Sequence, residues 1–281
     1  MKKYKITEES ILCFARHLER LEYAQSSVDK YVRDLRAFRR WIGNRPVEKE
    51  DFVGWKAYLL NGGYRPETVN TMLSSSNKFF RFMGWDGYRM KYLRIQRKLF
   101  RGKEKELTKA EYIRLIETAR EKDRERLALL METICATGIR VSEVRYITIA
   151  ALREGRADVA LKGKVRTILI PGKLRRKLYK YAQKQKIVSG EIFLTRNGTG
   201  LSRRQIWAEM KSLCQEAGVA PSKVFPHNLR HLFARTFYRA CRDVAKLADV
   251  LGHSSMETTR IYLLSTGVEH ARQLERLGLI S

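Results

Sequence analysis

Two arginines, two histidines and a tyrosine are the residues of this chain whose types and spacing suggest chemistry. They are Arg140, His227, Arg230, His253 and Tyr262, and the last four follow one another closely near the end of the chain. Paired guanidiniums bind the non-bridging oxygens of a phosphate, and a tyrosine becomes a useful nucleophile when bases and cations surround it. Imidazole titrates near neutral pH, so the histidines can carry protons. The set predicts phosphodiester chemistry that needs no metal ion.

A metal site is the alternative interpretation of the same region. His227 and His231 have the i, i+4 spacing of a zinc-binding helix, but the glutamate of that motif is missing and Arg230 lies between them. The cysteines are scattered and form no C-x-x-C pair, which argues against a zinc or disulfide framework: Cys13, Cys135, Cys214 and Cys241. We therefore predict no metal and no cofactor.

The net charge indicates what the phosphate belongs to. The chain has 57 Lys and Arg against 30 Asp and Glu, for a net charge of +27. Residues 1–105 hold 24 basic and 12 acidic side chains, so both halves of the chain are basic. An excess spread in this way favours binding to an extended polyanion such as double-stranded DNA. No run of 18 apolar residues and no leader is evident, so we expect no membrane contact and a cytoplasmic location.

The elements that must position these residues fall into two groups. Residues 1–95 predict four helices, with Thr7 as the first N-cap, Ser26 and Asp29 as a capping box for the second helix, and Pro66 at the start of the fourth. Their aromatic side chains are expected mostly in the core. Their polar faces carry basic residues suited to phosphates, namely Lys30, Arg33, Arg36, Arg40, Lys78 and Arg81.

The remaining chain predicts a charged linker, residues 96–106, and a second domain, residues 107–281. That domain opens with Thr108 and Glu111 as a capping box, which leads into helices. Short strands are predicted further along, at 157–161, 165–170 and 192–194, with Lys162-Gly163-Lys164 at the first turn. The expected fold is mainly α with a small β-sheet, a helical N-terminal domain preceding a mixed α/β domain.

The chain resembles the tyrosine recombinases, also called the phage integrase family, over nearly its full length. Four blocks carry the resemblance, in the family's order and spacing: ATGIRVSE at 136–143, PHNLRH at 226–231, LGHS at 251–254 and TTRIY at 258–262. The resemblance implies that the N-terminal helices form a SAM-like core-binding domain. It also implies that the second domain is the catalytic domain of the tyrosine recombinase type.

The resemblance implies a role for each candidate residue. Tyr262 would attack the scissile phosphate and leave a 3′-phosphotyrosyl enzyme with a free 5′-hydroxyl, while Arg140 and Arg230 would bind the non-bridging oxygens. His227 would handle the tyrosine proton, and His253 would hydrogen-bond the phosphate. The lysine that protonates the leaving oxygen most resembles Lys162, with Lys164 as the alternative. Glu143 fits a supporting acidic position.

The resemblance also implies assembly, as a tetramer on two DNA duplexes that exchanges strands through a Holliday junction. The apolar residues after Tyr262 have helical spacing, which fits a terminal helix that docks on a neighbour or folds back on its own domain. A compact mobile-element integrase is preferred over a Xer-like resolvase. A type IB topoisomerase would share the chemistry, and a non-catalytic DNA-binding regulator, with a helix-turn-helix at 248–255, would explain the charge but not Arg140.

Overall fold

The structure is a computed structural model that describes residues 4–85, 87–95, 103–161, 164–253, 255–260 and 262. Within these residues the fold is mainly helical, with a small antiparallel sheet of two strands, which confirms the predicted fold class. The chain divides into two compact units, Met1–Arg97 and Lys98–Ser281. Of the predicted linker, residues 96–102 lie outside the described residues, and Lys103–Lys105 form a 3-10 turn.

The first unit is built from four helices, as predicted: α1 (Glu8–Arg20), α2 (Gln25–Ile42), α3 (Asp51–Asn61) and α4 (Pro66–Phe82). Thr7 caps α1 in a reciprocal pair with Ser10. The predicted capping box at Ser26 is wrong, because the N-cap of α2 is Ala24, two residues before Ser26. Near this end of the helix, the side-chain amide of Gln25 donates to the carboxylate of Asp29 at 3.0 Å.

The core of the first unit is aromatic, in agreement with the expectation from the sequence. Phe14, Phe38, Trp55, Phe79 and Phe80 are all fully buried. Their rings meet in tilted and edge-to-face pairs with centroids 5.2–6.3 Å apart, a geometry that adds to the free energy of apolar burial. These rings therefore stabilise the unit and are not exposed for stacking on bases.

The second unit surrounds its sheet with helices. In chain order its elements are α5 (Lys109–Glu121), α6 (Glu125–Thr137), α7 (Ile149–Glu154), β1 (Arg156–Leu161), β2 (Lys164–Leu169), α8 (Gly172–Lys184), α9 (Arg203–Lys211), α10 (Pro226–Cys241), α11 (Val244–Leu251) and α12 (Met256–Arg260). A 3-10 helix, Val141–Tyr146, follows α6. The predicted capping box at the start of α5 is confirmed, since Thr108 and Glu111 bond reciprocally.

The two strands pair in antiparallel register from Arg156 with Leu169 to Leu161 with Lys164. The third predicted strand, 192–194, is wrong, because the one bridge that this stretch makes is isolated, from Leu194 to Gly200. Ile192 and Phe193 are buried in the core of the unit. Burial alone explains why this short apolar run looks like a strand in the sequence.

Helix α6 and helix α10 approach each other closely at one point, and this contact positions the site. Helix α6 ends at Gly138, whose φ of +65° is the left-handed conformation that favours glycine. A Cβ on Gly138 would lie 2.4 Å from Cδ1 of Phe233 on α10. Only glycine allows the chain to leave α6 here, and Arg140 follows two residues later.

Candidate active site

Arg140 lies at the start of the 3-10 helix that follows α6. Its backbone N–H donates to Oε2 of Glu143 at 2.7 Å, and its Nη1 donates to Oε1 of the same carboxylate at 2.9 Å. Its Nη2 donates to the carbonyl of Gly252 at 3.3 Å. The guanidinium is therefore held on two sides, yet its side chain remains 40% exposed. It is oriented and still able to meet a ligand.

Arg230 lies one turn into α10 and is 1% exposed. Its Nη1 donates to the carbonyl of Gly138, and its Nη2 donates to the carbonyl of Leu251 at 2.8 Å and to Nε2 of His253 at 2.9 Å. Burial and the neighbouring Arg140 lower the pKa of Arg230 to about 10, against a hydrogen bond to Tyr262 that raises it. Arg230 stays charged at neutral pH, in surroundings that favour an additional anion.

His253 follows the left-handed Gly252 at the end of α11. Because Arg230 can only donate, Nε2 of His253 must be the acceptor, and the ring proton must lie on Nδ1. Nδ1 then donates to the hydroxyl of Thr259 at 2.9 Å. Burial, followed by the charge of Arg230, lowers the pKa of His253 to about 4. The imidazole is therefore neutral at pH 7 when no DNA is bound.

Tyr262 is 4% exposed and lies among three imidazoles. Its ring centroid is 4.4 Å from that of His231, 5.6 Å from that of His253 and 6.3 Å from that of His227. The ring of His253 is nearly parallel to it, at 17°. The tyrosine thus lies beside potential proton carriers, and it also hydrogen-bonds the cation of Arg230.

A single cavity of about 720 Å³ brings together the five candidate side chains that the structure describes: Arg140, His227, Arg230, His253 and Tyr262. His227 is exposed at the start of α10, where the chain enters the helix through Pro226. Lys162 lies outside the described residues, and Lys164 is the first residue of β2. The predicted turn at Lys162-Gly163 likewise falls outside the described residues.

A slightly larger cavity, of about 800 Å³, lies on the first unit between α1 and α2. Its charged lining mixes arginines, such as Arg33 and Arg40, with Glu8 and Glu19, and it contains no histidine or tyrosine. It therefore lacks a nucleophile and a proton carrier. The chemistry of the side chains, and not the size of the cavity, identifies the smaller cavity as the candidate active site.

Sequence reasoning missed several residues of this site. His231 was weighed only as a metal ligand, although its position one helical turn after His227 placed it on the same face of α10. Thr259 was seen only as part of a motif, and its bond to His253 could not be read from spacing. Arg166 on β2, which contacts Glu143, gave no signal in the sequence, and neither did Trp207, which lines the cavity from α9.

Over the part of the chain that the structure describes, no group of three or more His, Cys, Asp or Glu side chains is arranged to hold a metal ion. Within the same residues, none of the helices combines the length and the apolar character needed to cross a membrane.

Comparison with known proteins places the chain among recombinases. The model of the phage integrase family matches residues 105–267, and that of the phage integrase N-terminal SAM-like domain matches residues 13–87. Tyrosine recombinase XerA of Pyrococcus furiosus is 28% identical, in an alignment that covers 100% of this chain and 98% of that protein.

Solved structures share the fold at lower identity. The lambda integrase (75–356) dimer bound to a COC′ core site has a TM-score of 0.73 at 18% identity, covering 92% of this chain and 95% of that one. The lambda integrase tetramer bound to a Holliday junction has a TM-score of 0.72 at 19% identity, covering 92% and 77%. These matches confirm the fold, the family and the enzyme class predicted from the sequence. Because the phage integrase model covers more than half of it, the chain belongs to the phage integrase family, the tyrosine recombinases that break and rejoin DNA.

Proposed function

We propose that this chain recombines DNA at specific sites through a covalent intermediate on Tyr262. The phenolic oxygen forms a bond to the scissile phosphorus, and the bond from phosphorus to the 5′-oxygen breaks, which leaves a 3′-phosphotyrosyl link and a free 5′-hydroxyl. The observation that carries the proposal is the placement of Tyr262, beside the imidazoles and in contact with Arg230, in the cavity that Arg140 also lines. The link conserves the phosphodiester energy, so a second strand can be joined without ATP.

Arg140 and Arg230 bind the non-bridging oxygens of the scissile phosphate. Charge accumulates on these oxygens in the transition state, and fixed guanidiniums stabilise it because they need no reorientation during the reaction. Both guanidiniums are held in place by acceptors of the protein, Glu143 for the first and backbone carbonyls for the second. This preorganisation supports the assignment.

The histidines have different proposed tasks. His227 lies at the mouth of the cavity and takes the proton of Tyr262 as the oxygen attacks. His253 hydrogen-bonds the phosphate, which requires a proton on Nε2. In the DNA-free structure that nitrogen accepts from Arg230 instead. A bound phosphate supplies negative charge beside the ring and so raises the pKa of His253, which allows the ring to hold protons on both nitrogens.

Lys162 is proposed to protonate the leaving 5′-oxygen, with Lys164 as the alternative. The two lysines are separated by comparing Lys162→Ala and Lys164→Ala on a substrate whose leaving group is a 5′-thiol, which needs no protonation. The variant whose cleavage rate is restored by the thiol substrate lacks the general acid. If neither variant is restored, the acid is another group.

Double-stranded DNA is the proposed partner, and the proposed assembly is a tetramer on two duplexes in the cytoplasm. The net charge of +27 supports the first part, since neutralising phosphates releases counterions. The lambda integrase tetramer on a Holliday junction, a structure of the same fold, supports the second. The preference for a mobile-element integrase over a Xer-type resolvase stays a prediction.

A covalent-trapping assay tests the proposal. Purified protein is incubated with nicked DNA from its own genomic neighbourhood and with a synthetic Holliday junction, then stopped with detergent, and any DNA-linked peptide is mapped. We expect an adduct on Tyr262 that survives EDTA, persists in Tyr238→Phe and is lost in Tyr262→Phe, while the latter still binds DNA. An adduct elsewhere, or strand exchange by Tyr262→Phe, would overturn the assignment. Relaxation of supercoiled DNA without exchange between paired sites would indicate a type IB topoisomerase.

A further inference from the structure

Arg166 is a partly buried cation on the sheet that the proposed chemistry does not use. It lies on β2, opposite Val159 of β1, and its side chain is 13% exposed. Desolvation lowers the pKa of this guanidinium, and Arg140 lowers it further, while Glu143 acts in the opposite direction. Taking a charge out of water costs free energy, which the contacts that the arginine makes must offset.

The contacts of Arg166 join three separate segments of the second unit. Its Nη2 donates to Oε2 of Glu143 at 2.6 Å, on the 3-10 helix that Arg140 begins. Its Nη1 donates to the carbonyl of Val250 at 3.1 Å, near the end of α11. One side chain thus links the β-hairpin to the segment that carries Arg140 and to the segment that carries His253.

Gly252 lies in the turn that carries His253, and the side chain of Arg166 approaches it closely. A Cβ on Gly252 would lie 2.3 Å from Cδ of Arg166, and the glycine has a φ of +62°. Both the backbone conformation and the lack of space require glycine here. The close approach of the Arg166 side chain therefore helps to explain why a glycine precedes His253.

Glu143 transmits the position of Arg166 to Arg140. Its carboxylate is 1% exposed, and its Oε2 is shared between Nη2 of Arg166 and the backbone N–H of Arg140, while Oε1 accepts from Nη1 of Arg140. Without Arg166, Oε2 would keep only the backbone bond. The carboxylate would then be free to turn, and the guanidinium of Arg140 would lose its fixed orientation.

One detail indicates that stability alone does not explain Arg166. Its Nε is buried and has no hydrogen-bond partner among the described residues. A buried donor left unsatisfied costs free energy, and such groups tend to occur where another requirement dominates. Holding the Glu143 carboxylate and the Val250 carbonyl at the same time is such a requirement.

We propose that Arg166 is a positioning residue that holds Arg140, through Glu143, and the turn bearing His253 in register with the β-hairpin. The role rests on the proposed function, because Arg140 needs a fixed orientation only if it binds the scissile phosphate. Arg166 does not line the cavity that contains Tyr262. It acts on the rate of cleavage through Arg140 and not through DNA affinity.

The test measures single-turnover cleavage, DNA affinity and melting temperature of the full chain. For Arg166→Gln we expect cleavage to slow by about 10- to 100-fold, the cost of a misplaced catalytic group, with the Kd for DNA within about threefold of wild type. Arg166→Lys keeps the charge beside Glu143 but cannot also reach Val250. Its cleavage rate should therefore lie between those of wild type and Arg166→Gln. Arg156→Gln, on the same hairpin with a side chain 58% exposed, should cleave normally.

Ile168→Ala distinguishes the positioning role of Arg166 from a purely structural one. This variant loses a buried side chain two residues further along β2. The melting temperature of Ile168→Ala should fall at least as far as that of Arg166→Gln. At a temperature where both variants are still folded, Ile168→Ala should nevertheless cleave DNA faster than Arg166→Gln. An Arg166→Gln rate within twofold of wild type would overturn the proposal. So would a rate loss no greater than that of Ile168→Ala.

Failure of the proposed function would be recognised separately. If wild type forms no DNA adduct, the positioning role is measured by NMR of the Arg140 side chain without DNA. Rotation of that guanidinium should be slow in wild type, because Glu143 and Gly252 hold its two terminal nitrogens, and faster in Arg166→Gln. Unchanged rotation would contradict the positioning role whether or not the chain cleaves DNA.

Discussion

The two units bury charge in opposite ways. In the first unit the buried groups are acids, Asp34 and Asp51, whose partner cations remain partly in solvent. Lys30 lies 2.6 Å from Asp34 with a side chain 34% exposed, and Arg45 lies 2.5 Å from Asp51 with a side chain 49% exposed. In the second unit, around the described site, the cation Arg230 is as fully buried as the acid Glu143, and Arg166, with a side chain 13% exposed, adds a second cation that is largely out of solvent.

The difference in charge balance distinguishes charged residues that stabilise the fold from charged residues that are suited to bind a ligand. A buried acid beside a half-exposed cation forms a neutral pair whose cation is still partly hydrated. By contrast, Arg140 and Arg166 share the single carboxylate of Glu143, and Arg230 lies near both arginines, which leaves two positive charges unbalanced among these four groups. A phosphate diester supplies the missing negative charge, and its charge increases as the transition state forms.

Removing Arg230 should have the largest effect, because it deletes a buried donor aimed into the cavity. We expect Arg230→Ala to slow single-turnover cleavage by about 100- to 1000-fold while DNA still binds. Arg45→Ala, which removes a half-exposed cation from the first unit, should leave the cleavage rate within about threefold and lower only stability. An equal loss of cleavage rate in Arg230→Ala and Arg45→Ala would contradict the proposed difference between the charged residues of the two units.

The second prediction concerns the glycine that lets α6 approach α10. Gly138→Ala places a Cβ against Phe233 and forces a left-handed conformation, so it should lower the free energy of unfolding by about 1–3 kcal/mol. Urea denaturation measures the loss. Gly198→Ala has a φ of +75° but no atom within 4 Å of the new Cβ, so it carries the strain without the clash. A loss no larger in Gly138→Ala than in Gly198→Ala would exclude a steric role.

Removing a buried acid of the first unit should affect stability and leave chemistry intact. Asp34→Asn loses the charge that Lys30 and the hydroxyl of Ser75 bond, at 2.6 Å and 2.8 Å, and should cost about 1–2 kcal/mol in urea denaturation. The exposed Asp29→Asn on the same helix is the control. A change in the cleavage rate of DNA-bound Asp34→Asn would show that this pair also serves the reaction.

The last prediction is a pH dependence of stability from His253, whose partly exposed ring is screened by solvent. Its pKa in the folded chain, about 4, is below its ordinary value of 6.5, so the unfolded chain takes up the proton first as the pH falls. The contribution to stability is complete above pH 6.5 and declines as the pH falls from 6.5 toward 4. Urea midpoints should therefore fall less steeply over this window in His253→Gln than in wild type. Identical slopes would contradict the lowered pKa.

Much of the fold and of the site could be predicted from the sequence. Helix positions followed from apolar spacing and from caps such as Thr7 and Thr108, because these are local signals. Arg140, Arg230 and Tyr262 were recognisable by type and motif. The stretch 192–194 was misassigned, because a short apolar run does not distinguish a strand from a buried loop.

The parts that could not be predicted depend on contacts between distant segments. Arg166 meets Glu143 across 23 positions and Val250 across 84, and neither pairing leaves a pattern in the chain. The bond from His253 to Thr259 spans only six positions, but it depends on which ring nitrogen carries the proton. That choice is set by Arg230, so it required the assembled site.

The backbone acceptors of Arg230 have a consequence for how this site can change during evolution. Its guanidinium is oriented by the main-chain oxygens of Gly138 and Leu251, atoms that every amino acid carries. Side-chain replacement cannot delete them, so a mutational scan would find no acceptor for this arginine. Their presence would be visible only indirectly, as intolerance of substitution at Gly138, where the main chain must keep its path. The orientation of the buried cation is thus inherited through the shape of the backbone.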